Sequence, residues 1–145
     1  PKTDPQFGML QPSTDDIASA LAGRDASRLQ PSGAYAANLL GLTTQVPTKV
    51  VYLTDGRTRT VQIGSRQITL KHTTPRNMAT AGKSSGLVIQ ALRYLGRENV
   101  DQQVVKQLGR RLNSDTLRQL MKDIRYAPAW IADIIRRLAL RESAA

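Results

Sequence analysis

An α+β fold is predicted from three features of the sequence. Apolar residues alternate over residues 49–72, and helical spacing lies on either side of that stretch. At 145 residues with 40% hydrophobic content, the chain is long enough for one real core. The links between the alternating runs are far shorter than a helical crossover, which predicts an antiparallel arrangement. The expected order is two N-terminal helices, a three-stranded antiparallel meander and a four-helix C-terminal part. One domain is expected over residues 14–141, with residues 1–13 as an extended lead-in.

The first helix is predicted from Ser13-Thr14-Asp15-Asp16, a cap followed by acids in the first turn. Ile17, Ala18 and Leu21 share a face, and Gly23 stops the helix. A second helix follows Pro31-Ser32, burying Tyr35, Ala36, Leu39 and Leu40, with Gly41 at the C′ position and Leu42 packing back. The strands are KVVYL (49–53), RTVQI (59–63) and QITLKH (67–72), with turns at Asp55-Gly56 and Gly64-Ser65. Val61, Ile63, Ile68 and Leu70 make the apolar face; Thr60, Gln62, Thr69 and Lys71 make the polar one.

Four helices complete the chain. Ser84 or Ser85 caps the first, whose stripe is Leu87, Val88, Ala91, Leu92 and Leu95. Asn99 with Gln102 matches a capping box ahead of Val104, Val105, Leu108 and Leu112. Ser114 caps a third helix burying Leu117, Leu120, Met121 and Ile124. Pro128 suits the first turn of a fourth, where Ile131, Ile134, Ile135 and Leu138 face inward beside Trp130.

Composition narrows the chemistry. The chain has no Cys, which excludes disulfides, thiolate metal sites and Cys nucleophiles. Its one histidine, His72, cannot found a His-based metal site and reads as an edge residue bonded to backbone or water. The acids are scattered, and no pair has catalytic spacing. No cofactor or metal is therefore expected. No apolar run is long enough to cross a membrane, so no membrane partner is expected either.

The segment ATAGKSSG (79–86) ends like a phosphate-binding loop. The full motif requires a glycine where Asn77 stands, and the expected antiparallel sheet is the wrong context. The competing enzyme reading would use Lys83 and Asp55. The sequence favours a loop and helix start, with Lys83 beside amides that could meet a nucleic-acid phosphate.

Net charge is +10 and unevenly placed. Residues 43–83 hold seven Lys/Arg against one Asp, while residues 1–42 hold three against four. Arg57, Arg59, Arg66, Lys71, Arg76 and Lys83 all belong to the meander or its exit loop. They are the candidate site for an anionic partner, DNA or RNA. The helical charges Arg118, Lys122 and Arg125 read as a solvated face, and a dimer through an apolar patch near Trp130 is a third reading.

LQPSGAYAANLLGL (29–42), QVPTKVVYLTDG (45–56), TTPRNM (73–78), GLVIQALRYLG (86–96) and RYAPAWIADIIRRL (125–138) resemble the AbiEi-like antitoxins of bacterial type IV toxin–antitoxin systems. The resemblance runs from about residue 10 to 140. It implies a cytoplasmic, non-enzymatic antitoxin that opposes a nucleotidyltransferase-like toxin and represses its own operon through an N-terminal winged-helix domain. No winged-helix pattern precedes residue 10, and the chain does not begin with Met. The expectation is a C-terminal portion, with residues 1–13 as the end of a linker. The family carries no catalytic residue onto these positions, and toxin contact is left open.

Overall fold

The computed structural model describes residues 14–23 and 28–144. The predicted lead-in over 1–13, with the Ser13 cap, lies outside the described residues. The architecture is α+β: helices pack around and beside a four-stranded mixed sheet. The elements are α1 (Thr14–Ala22), β1 (Leu29–Ser32), α2 (Gly33–Leu39), β2 (Lys49–Thr54), β3 (Arg59–Ile63) and β4 (Arg66–His72), followed by α3 (Pro75–Met78), α4 (Ser84–Leu95), α5 (Gln102–Arg111), α6 (Ser114–Asp123) and α7 (Ala129–Ala144).

The expected antiparallel meander is corrected on two counts. The sheet order is β1-β2-β4-β3, and β2 pairs with β4 in parallel. Strand β3 is itself the return segment that a parallel pair needs, so no helical crossover is required. The Asp55–Thr58 link steps over one strand position: five residue steps from Thr54 to Arg59 reach about 16 Å, against about 10 Å for two strand spacings. Asp55-Gly56 is thus not a hairpin turn, whereas Gly64-Ser65 is one, with Gly64 at φ 60° joining antiparallel β3 and β4. The fourth strand, LQPS, is not among the three that the sequence predicts. It lies at the sheet edge, where Pro31 is tolerated because its missing N–H breaks no central ladder.

One face of the sheet is apolar. Val50, Tyr52, Ile68 and Leu70 are buried there under Ala18 and Ala22 of α1, with Val61 and Tyr35 at the margin. Ile63, expected on that face, is 42% exposed because β3 is an edge strand and α1 does not cover its end. A second core lies among α4, α5, α6 and α7, built from Val88, Leu92, Leu108, Leu120, Ile131 and Ile135. Between them, Ala36 and Ala37 of α2 meet Ala91 of α4 at close range. The small side chains let these two helices approach.

Helix ends follow local chemistry, in places one or two residues from the expected position. Gly41, at φ 71°, closes α2: its N–H donates to Asn38 O, and Leu42 N–H donates to Ala37 O. That pair is a Schellman ending, as the sequence predicts. The predicted caps of the later helices shift. Asp101, not Asn99, accepts from Val104 N, and Asn113, not Ser114, accepts from Thr116 N. In both cases the capping residue has extended φ/ψ. Leu39 and Met121, predicted inside, are exposed.

Gly86 in α4 permits a close approach. A Cβ there would lie 2.4 Å from both Thr80 O and Gln30 Oε1. Gly86→Ala is expected to cost about 1–3 kcal/mol, because backbone at Thr80 must move. Gly64→Ala, with nothing within 4 Å, should cost only its left-handed strain, about 1 kcal/mol. Urea midpoints compare the two, and a Gly86→Ala protein as stable as wild type would contradict the packing.

Candidate functional site

The six cations singled out by the sequence do not form one surface. Arg59 is opposite Leu70 and Arg66 is opposite Ile63, so both project on the apolar face beside α1. Arg59 Nη1 donates to Leu21 O at 3.2 Å, at the carbonyl-rich C-terminal end of α1. Arg66 Nη1 donates to Thr14 Oγ1 at 2.6 Å, at the other end. The two arginines fasten α1 to the sheet. Arg76 Nη2 donates to Arg125 O at 3.0 Å, and Lys83 Nζ lies 3.7 Å from Asp123 Oδ2. Arg57 is exposed on the β2–β3 link. Lys71 is exposed on the opposite, polar face of the sheet.

Neighbouring groups are also committed. His72 Nδ1 donates to Gly56 O at 2.8 Å and pins the β2–β3 link. Asp55, the acid of the enzyme reading, faces Arg28: its Oδ1 accepts from Arg28 N, and Oδ2 lies 3.9 Å from Nε. Asp15 accepts from both Tyr52 and Tyr35. Burial, followed by the Asp15 hydrogen bond, pushes the Tyr52 phenol far above its ordinary range. No group of three or more His, Cys, Asp or Glu residues able to hold a metal occurs among the described residues.

ATAGKSSG is resolved into specific contacts. The objection from an antiparallel sheet does not hold, since β2 and β4 are parallel. What decides the segment is its partner. Lys83 occupies the N-cap position of α4 without a side-chain cap bond, so neither Ser84 nor Ser85 caps the helix. Ser85 is buried in the first turn and donates to Asp123 Oδ2 at 2.6 Å. Gln119 Nε2 donates to the same oxygen at 2.9 Å. An anion from α6 therefore already sits at the start of α4, where the helix dipole favours negative charge. Asn77, in the place of the missing glycine, donates to Thr73 Oγ1 at 2.9 Å.

The exposed, uncommitted chemistry lies across the polar face of the sheet. A cleft of about 360 Å³ is bounded by the β1–α2 junction, β2, β4, α3 and α4. Lys71 from β4 and Arg93 from α4 line it, both exposed, together with Thr73, Asn77, Gln90 and the exposed Tyr94. No acidic residue lines it among the described residues. Two cations from different elements, neutral hydrogen-bonding groups and a 53% exposed phenol ring suit a phosphate-bearing chain better than a cation. Of the predicted set, only Lys71 takes part. Arg93 was missed, although Gln90, Arg93 and Tyr94 are three and four apart, the spacing of one helix face.

A family model described as a family of unknown function (DUF6088) matches residues 1–122. No curated protein and no solved structure matches the chain.

Asp123 supplies a test of the network. Burial alone would raise its pKa, but hydrogen bonds from Ser85 and Gln119 and the charge of Lys83 outweigh it, leaving the carboxyl below its ordinary 3.8. A depressed native pKa means the stabilisation is complete above the ordinary value and is lost as pH falls through the lower native one. Urea unfolding from neutral pH down to about pH 2.5 should therefore show an acid-limb slope that Asp123→Asn reduces. Ser85→Ala should cost about 2 kcal/mol, a buried bond to a charged acceptor. Lys83→Ala, whose side chain is 45% exposed, should cost at most about 1 kcal/mol. Equal losses for Ser85→Ala and Lys83→Ala would contradict this ranking.

Proposed function

The chain belongs to the DUF6088 family, whose function is unknown, and on the separate ground of the sequence blocks that resemble AbiEi-like antitoxins we propose that it is the non-enzymatic effector domain of such an antitoxin. In this reading it works in the bacterial cytoplasm, opposes a nucleotidyltransferase-like toxin and acts by recognition. The full-length protein would carry a winged-helix domain for autoregulation. The contact surface is the cleft between Lys71 and Arg93, and its partner is the phosphate backbone of a nucleic acid.

One observation carries the proposal. Four blocks that resemble the antitoxins converge on this cleft from distant parts of the chain. LQPSGAYAANLLGL supplies Ser32 and Gly33, QVPTKVVYLTDG supplies Leu53, TTPRNM supplies Thr73 and Asn77, and GLVIQALRYLG supplies Gln90, Arg93 and Tyr94. Lys71 is the one lining residue outside the blocks. The net charge of +10 adds long-range attraction for a polyanion. The enzyme reading gains no such support: Lys83 faces Asp123, and Asp55 faces Arg28.

The test is toxicity rescue in cells, with the full-length protein co-expressed beside the toxin encoded next to it. Lys71→Glu with Arg93→Glu should abolish rescue while leaving the circular dichroism spectrum and urea midpoint within about 0.5 kcal/mol of wild type, since both side chains are exposed. Full rescue by the soluble double variant would refute a role for the cleft.

A further inference from the structure

A second groove, of about 630 Å³, runs between α5 and α7 beside the turn at Arg97–Asn99. We infer that it binds one nucleotide unit of a single-stranded nucleic acid, its base on Trp130 and its phosphates on Arg97, Arg137 and Arg141. This inference goes beyond the cleft reading and stands on a different surface.

The placement follows from helical spacing. Trp130, Ile134, Arg137 and Arg141 are four, three and four residues apart on α7, so they form one stripe facing the groove. Trp130 is half-buried and packs against the helical core with Val100 and Val105, which holds the indole in place. Arg97, Arg137 and Arg141 are exposed, and none has a carboxylate within ion-pair distance among the described residues. The two acids that line the groove among the described residues, Asp101 and Asp133, are already engaged. Asp101 Oδ1 accepts from Val104 N, and Asp133 Oδ1 is 3.1 Å from Arg136 Nη1.

The chemistry selects the ligand. A planar, apolar ring beside a row of guanidinium groups matches a base joined to phosphates: the ring stacks, and the planar forks pair with phosphate oxygens. A duplex keeps its bases stacked on one another, so only an unpaired base can enter a concave groove of this kind. An acidic peptide would use the arginines and leave the indole without a specific partner.

Trp130 is the only tryptophan of the chain, so its fluorescence reports the groove directly. A short oligodeoxythymidylate is titrated at low salt, with a DNA duplex and oligoglutamate as competitors. Saturable quenching that weakens with salt is expected from the single strand, with little from the duplex or the peptide. Arg137→Ala with Arg141→Ala should weaken binding about tenfold or more. The charge-matched control, Arg118→Ala with Lys122→Ala on α6, should weaken it by no more than about twofold, through net charge alone. All four side chains are exposed, so both variants fold. No quenching by the oligonucleotide, equal competition by oligoglutamate, or equal losses in the two double variants would each overturn the inference.

Discussion

The carboxylate of Asp123 at the start of α4 is the contact on which the arrangement of the two cores depends. Its side chain is only 6% exposed, and it comes from the last residue of α6. Ser85 and Gln119 satisfy one of its oxygens, and Lys83 adds opposite charge from the solvent side. A buried charge is tolerated only when its environment replaces the lost water, and here two hydrogen bonds and a helix N-terminus do so. The bond is also long-range, spanning 38 residues, so it joins parts of the chain that no local preference would hold together.

Helix α4 transmits that constraint. It packs on α2 and β1 at one side and on α6 and α7 at the other, so it lies between the sheet core and the helical core. Two small features make this possible. Gly86 lets Thr80 O and the Gln30 side chain come close, and Ala91 lets α2 do the same. Gln30 is 1% exposed and spends its amide on Pro31 O and Gly82 N, sealing the loop before the helix. The same helix presents Gln90, Arg93 and Tyr94 to the cleft. The anchor at its first turn and the cleft-lining groups near its last turn are thus parts of one helix.

Much of this was legible in the sequence where the signal is local. Alternation located β2, β3 and β4, Gly41 with Leu42 foretold the ending of α2, and the isoleucine spacing of α7 foretold its buried stripe. Strand order was not legible, because pairing partners are chosen by burial across the sheet. Ile68 and Leu70 gain most from the central position between β2 and β3, and that places β4 parallel to β2. LQPS is hard to read as a strand because a proline argues against a central strand and says less about an edge. The division of the cations was in principle readable. Arg66 and Lys71 differ by an odd number in one strand and so had to face opposite ways.

That division changes what basic charge means in this protein. Arg59, Arg66, Arg76 and Lys83 bind the protein's own carbonyls, hydroxyl and carboxylate, and part of the density of cations near the strands reflects the fastening of α1, α3 and α4. A cation count along the chain cannot separate such fasteners from cations held toward solvent, since both kinds use the same residues. The separation depends on which acceptors the fold brings within reach. For α1 the acceptors are its own two ends, and for α4 the acceptor is an aspartate from another helix. Lys71 and Arg93 face a cleft that offers no acid among the described residues, so no carboxylate there neutralises their charge. In the proposed reading, recognition falls to the positions where the fold leaves arginines and lysines without an anion from the described residues.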